Sequence, residues 1–195
     1  MSMVKTKDKI IQKSVELISQ FGYVKFSIGN VAKEVQVSKG VVNYHFPQKE
    51  LLVAAIITQY FEKAAMYMGE HMILEEDAKR MLESYIESNL RFVAENKAET
   101  LAITEIIRNG RNETGELMFA DENNDILKPI IEIFQYGQEV DNSFRNFPPD
   151  IMARAVRNVI DSFSSTIAKD EITDIDSVIN EIKTMFIKAT ERSDS

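Results

Sequence analysis

The 195-residue chain contains no cysteine. That excludes a disulfide framework, thiolate zinc sites, iron–sulfur clusters and thiol catalysis, and it fits a cytoplasmic protein. Four prolines and seven glycines are few for this length, and scarce breakers favour long helices. No apolar run approaches the roughly 18 residues of a membrane span. The opening Met1–Ser14 stretch is charged from the start and does not read as a signal peptide. GxSxG, HExxH, P-loop and GxGxxG motifs are all missing, so neither an enzyme nor a bound cofactor is expected. No metal is expected either. His71 with Glu75 offers only two ligands, and the calcium-like spacing of Asp121, Asn123, Asp125 and Glu132 has Ile126 where glycine is needed. The Asn112 sequon has no meaning without secretion.

What is present is uneven in charge. The formal net charge is -8, yet residues 1–50 carry eight lysines against four acids, a balance of +4. The remaining 145 residues carry 15 basic and 27 acidic groups, a balance of -12. A basic head on an acidic body is a pattern that suits a polyanion partner, although a swing of four charges in fifty residues also arises by chance.

Apolar spacing predicts helices throughout, so the fold class is all-α. The first runs over 7–21 and ends at Gly22; Ser27 caps a second over 28–35; Ser38 caps a short third over 39–45. A long fourth runs from Lys49 to about Met72, on the order of 36 Å at 1.5 Å per residue. Further helices are expected over 78–95, 98–108, 125–138 (bent or begun near Pro129) and 149–168. A last one, capped by a Thr173–Asp176 box, ends near Thr190. Residues 109–123 read as a loop.

Helices two and three are separated by about three residues, which is helix-turn-helix spacing. Val31, Val35, Val37 and Val42 supply the apolar crossing and Ala32 the close approach. The outer face of helix three then carries Lys39, Gly40, Val41, Asn43, Tyr44 and His45. Lysine reaches guanine acceptors or phosphate, asparagine pairs with a base edge, and valine meets a thymine methyl. Gly40 lets the helix N-terminus approach a phosphate. Ser27, Ser38 and Lys49 complete the candidate DNA-binding set, and Lys5, Lys7 and Lys25 are further candidates for the backbone. An ordinary three-helix core with a polar face is the competing reading.

The string from Val37 to Leu52, VSKGVVNYHFPQKELL, resembles the signature of TetR-family transcriptional regulators. The Ser-Lys-Gly start, the aromatic centre and the His-Phe-x-x-Lys-Glu-x-Leu ending form the recognition helix and its junction in that family. Ala32-Lys33-Glu34 sits where the family's second helix ends, and Phe21-Gly22-Tyr23 lies upstream at matching spacing. The resemblance covers residues 7–53. It departs at Gln36, where the family usually has glycine, and at Asn43, where an aromatic commonly stands and stacking bulk is lost.

The resemblance implies a helix-turn-helix domain over 1–48 and a helical effector-binding and dimerisation domain over 49–195. It implies a double-stranded, palindromic operator, a small-molecule effector and a homodimer, with no membrane. Effector candidates are Met66, Met81, Tyr85, Phe92, Glu105, Arg108 and Phe134, beside Asn89, His71, Met118 and Phe119; a plain helical core is the alternative for each. Dimer candidates are Met152, Ala155, Val159 and Phe163 on one stripe and Val178, Ile182, Met185 and Phe186 on another. A repressor released by its effector is the leading expectation. An effector-independent DNA-organising protein and a helical carrier or enzyme with a vestigial head are the alternatives.

Overall fold

A computed structural model describes residues 3–74, 77–111 and 126–192. Among the described residues there are nine α-helices and one 3-10 turn. They are α1 (Met3–Phe21), the turn Tyr23–Lys25, α2 (Ile28–Val35), α3 (Lys39–His45), α4 (Lys49–His71), α5 (Ala78–Glu95), α6 (Lys97–Asn109), α7 (Lys128–Glu139), α8 (Pro149–Ala168) and α9 (Ile175–Thr190). None of these helices is long and apolar enough to cross a membrane. Met118, Phe119, Glu75, Asn112 and the Asp121–Asp125 stretch lie outside the described residues.

The element boundaries follow from local chemistry. Ser27 and Ser38 cap α2 and α3, accepting from Asn30 N–H at 3.2 Å and Val41 N–H at 3.3 Å. Pro129 and Pro149 occupy the first turns of α7 and α8, where no N–H is missed. α9 corrects the expected cap. Asp174, not Thr173, accepts from Ser177 N–H at 3.0 Å. The turn at Tyr23–Lys25 was not expected, because three residues are too few to show a period.

The chain divides into two compact units, one within Met1–Lys63 and Asn96–Ala120, the other within Ala64–Glu95 and Asp121–Ser195. The first core gathers Ile10 and Ile18 from α1, Val31 and Val35 from α2, Val42 from α3, Leu52 and Ile56 from α4, and Ala102, Ile103 and Ile106 from α6. The helix-turn-helix therefore shares its core with α6, which packs along α1. This unit therefore holds α6 and the first part of α4 beside the helix-turn-helix.

In the second unit α5 is central and packs against α7, α8 and α9. Leu82, Ile86 and Leu90 are fully buried there with Ile130, Phe134, Ile160 and Ile179. Phe134, Phe144 and Phe147 form an edge-to-face cluster, with Phe134 at 5.7 and 5.2 Å from the other two rings. Gly137 makes room for it, since a Cβ there would stand 2.2 Å from the Phe144 ring. Asp141 accepts from Ala78 N–H at 2.7 Å and Ser143 N–H at 2.8 Å, closing the N-terminus of α5.

Candidate nucleic-acid interface

The turn between α2 and α3 sets the angle at which α3 is offered. Gln36 is left-handed, with φ 59 and ψ 46. Its N–H and that of Val37 return to the last carbonyls of α2, Val37 to Ala32 at 2.9 Å, which is a Schellman ending. Val31, Val35 and Val42 are at most 2% exposed, so the crossing is dry. Gly29 is a contributor that the sequence reading overlooked. A Cβ there would lie 2.9 Å from Lys39 Cε, so the end of the lysine side chain passes close over α2 at this glycine and would have to shift for a larger residue.

The outward face of α3 is as expected from its period. Lys39, Gly40, Val41, Asn43 and Tyr44 are exposed, Tyr44 by 70%. His45 is half-buried, with its ring edge-on to Tyr44 at 5.3 Å. Ser27 and Ser38 use their Oγ atoms as acceptors within the caps, which leaves each hydroxyl hydrogen free to donate to a phosphate.

Lys49 is placed differently from a simple surface lysine. Its Nζ stands 4.1 Å from the centre of the Tyr23 ring and 5.3 Å from that of Phe26. Burial pushes its pKa down, and nearby Glu50 opposes that. Burial, aided by Glu50, pushes the Tyr23 hydroxyl up. Lys49 thus ties the start of α4 to the 3-10 turn as a partly desolvated cation. Lys7 sits over the Phe46 ring at 5.8 Å. The aromatic pair Tyr23 and Phe26 is in the sequence, but its closeness to residue 49 has no local signature.

The residues expected to contact an effector divide between the units. Glu105 and Arg108 belong to the first, where Glu105 Oε2 accepts from Tyr23 N–H at 3.4 Å and from Asn109 Nδ2 at 3.0 Å. Arg108 is exposed. Met66, Met81, Tyr85, Phe92 and Phe134 belong to the second. Met81, Tyr85 and Phe92 are buried on α5, whereas Met66 is 68% exposed and Phe134 is committed to its aromatic cluster. Asn89 accepts from Arg157 Nη1 at 3.3 Å, and Arg157 also pairs with Asp161 at 2.7 Å. His71 stacks on Tyr67 at 4.0 Å, and its Nδ1 is 2.8 Å from the Tyr67 carbonyl. Among the described residues no three His, Cys, Asp or Glu side chains gather as a metal site.

The two expected dimer stripes are also sorted by the fold. Ala155 and Met185 are exposed, and Met152, Val159, Phe163 and Val178 are half-buried. Ile182 and Phe186 are buried within the protomer by the second core, so they support the face from behind.

Residues 10–56 match the family described as bacterial regulatory proteins, tetR family. Over 61 residues the chain is 38% identical to YuxN of Bacillus subtilis (strain 168), named an uncharacterized HTH-type transcriptional regulator. That segment is 31% of this chain and 21% of YuxN, so the likeness spans about a fifth of the curated relative. A tetR-family regulatory protein from Rhodococcus RHA1 superposes with a TM-score of 0.78 at 18% identity, over 97% of this chain and 99% of that one. A transcriptional regulator of Saccharomonospora viridis, solved in complex with choline, gives 0.80 at 17% identity, over 97% of this chain and all of that one. These likenesses extend the same fold beyond the head, through the described residues of the body.

Proposed function

We propose that this chain is a TetR-family regulator, on the likeness of its head and its fold, and that it acts as a dimeric repressor released from its operator by a small molecule. The observation that carries the DNA-binding part is the exposed Lys39–Tyr44 face. It stands on a dry valine crossing and is aimed by capped helix ends and a left-handed Gln36. Phosphates are held by Lys39, Lys49, Ser27 and Ser38, and base edges are read by Asn43, Val41 and Tyr44. Two heads on a two-fold axis read a palindrome, and the exposed stripe of α8 with Met185 of α9 is the dimer face. The effector is taken up in the second unit, beside Met81, Tyr85 and Phe92 on α5. A neighbour of the same fold is described in complex with choline, which supports a small-molecule role for such a body. The family and fold are those of transcriptional regulators, so no catalysis is proposed, and the site of action is the cytoplasm.

The test is binding to the DNA upstream of the chain's own gene, with a salt titration. Binding that tightens as salt falls and is lost when Asn43 and Lys39 are both replaced by alanine supports the reading. Salt-independent binding, or none, removes it.

A further inference from the structure

Within the first unit, α1, α4 and α6 line an open-sided cleft of about 210 Å³. Its floor is Ile11, Val15, Ile56 and Ile103, each at most 9% exposed. Three helical stripes converge on it: Asp8, Ile11, Gln12 and Val15 from α1, Ile56, Gln59 and Lys63 from α4, and Glu99 with Ile103 from α6. The rim is polar. Lys63 is already paired with Glu99 at 3.0 Å, whereas Asp8, Gln12 and Gln59 are exposed, with no side-chain hydrogen bond among the described residues.

We propose that this cleft is a second small-molecule site, separate from any effector pocket in the second unit, and that it takes a compact organic cation: an ammonium group on an apolar body. The volume argument is direct. An enclosed apolar cavity of about 150 Å³ holds benzene, so a body of about eight to ten heavy atoms fits this cleft with one side left open to water. The charge argument selects the head group. With Lys63 paired to Glu99, the exposed Asp8 is the rim charge with no ion-pair partner among the described residues, and it attracts a cation and repels an anion. The amide oxygens of Gln12 and Gln59 can accept the remaining ammonium hydrogens, and the apolar body covers the isoleucine floor. Because the occupant touches three helices that share one core, it stabilises the unit that carries the DNA-reading face.

The probe is phenethylamine, with 2-phenylethanol and phenylacetate as neutral and anionic comparators, titrated into the full chain by calorimetry and amide NMR. The expected result is saturable binding of the amine with a Kd of about 1 mM, and about two- to fivefold weaker binding of the alcohol, since one exposed ion pair contributes on that order. Asp8→Asn removes the difference between amine and alcohol. Gln12→Glu, a surface change that leaves the core alone, strengthens the amine several-fold. Shifts centre on the amides of residues 8, 12 and 59. Equal affinity for amine and alcohol, an unchanged amine affinity in Asp8→Asn, shifts confined to residues 81–92, or no saturation by 10 mM each overturn the proposal.

Discussion

The backbone N–H of Tyr23 donates to Glu105 Oε2 at 3.4 Å, across 82 residues of chain. The contact fastens the 3-10 turn to α6, and Gly22 just before it has φ 80, with a Cβ position 3.3 Å from the same oxygen. Two changes test this. Glu105→Ala frees Tyr23 N–H and costs about 1 kcal/mol at this long distance. Gly22→Ala forces a side chain into a glycine-only backbone region and against the carboxylate, and costs about 1–3 kcal/mol. Urea denaturation of both variants reads the loss. Parental midpoints in both show that the turn is not held this way.

Gln36 gives the opposite sign. It occupies a left-handed position on an exposed turn, where an L side chain costs about 1 kcal/mol. Gln36→Gly therefore raises stability by up to about 1 kcal/mol, less what glycine adds to unfolded-chain entropy. Its side chain is exposed and outside α3, so operator affinity stays at the parental value. Thermal melts with DNA titrations check both halves.

Much of this was visible before folding. The caps at Ser27 and Ser38, the apolar crossing and the outer face of α3 follow from residue types at fixed offsets, and the structure places them accordingly. Gln36 could be flagged because a turn residue carries its own backbone demand. The placement of α6 could not. Ala102, Ile103 and Ile106 declare an apolar stripe, yet a stripe does not name the surface it meets, so Glu105 and Arg108 were expected beside an effector. The Lys49 cage has the same cause: Tyr23 and Phe26 become its neighbours only through the tertiary fold. At Thr173 and Asp174 two adjacent capping residues competed, and composition does not rank them.

Lys49 and Asn43 separate positioning from reading. Lys49→Met keeps the stem over Tyr23 and Phe26 but removes the charge. It weakens binding to all DNA sequences and lowers the salt slope by about one unit, with a stability loss of about 0.5–1 kcal/mol from the lost ring contact. Asn43→Ala leaves the salt slope alone and changes sequence preference by about 1–3 kcal/mol. Parallel titrations at several salt concentrations check this, and identical behaviour of the two variants contradicts the assigned roles.

For the dimer face, exposure chooses the substitutions. Met185 is 46% exposed and Ala155 is also exposed, so Met185→Glu and Ala155→Glu leave the protomer core intact. Each places an unpaired charge in an apolar interface and drives the chain toward monomer at micromolar concentration. Phe163→Glu, half-buried, does the same with some loss of protomer stability. Light scattering beside circular dichroism distinguishes a dissociated folded chain from an unfolded one, and intact dimers in all three variants reject this face.

Acid should act through Asp141 and Glu87. Burial alone raises the Asp141 pKa, but hydrogen bonds from Ser143 and the Ala78 N–H, with Lys79 nearby, hold it below the usual aspartate value. Glu87 is held down by hydrogen bonds from Arg91 and Lys183. A carboxyl whose folded pKa is depressed contributes stability above its unfolded pKa and loses it as pH falls through the folded value. Stability therefore declines as pH drops below about 4, the ordinary carboxyl range. Asp141→Asn flattens that decline and lowers stability at neutral pH, by a margin that solvent screening of this partly exposed group reduces. Denaturation curves between neutral pH and acid measure both, and an unchanged acid slope removes Asp141 as a contributor.

The last expectation concerns the switch. Residues 49–63 of α4 belong to the first unit and residues 64–71 to the second, so one helix carries side chains of both. At 1.5 Å per residue such a helix is on the order of 35 Å long, and a small tilt at one end moves the other by a few ångströms. Two recognition helices must stand about 34–36 Å apart to enter successive major grooves, so small displacements matter. An effector that favours a mis-spaced dimer needs about 1–3 kcal/mol of coupling to cut operator affinity 5–150-fold. Linkage then requires the operator to weaken the effector by the same factor. Titrating an effector with and without operator DNA measures that factor twice. Agreement of the two values supports an equilibrium switch, whereas equal effector affinity in both titrations leaves a DNA-binding protein in which the body does not control the heads.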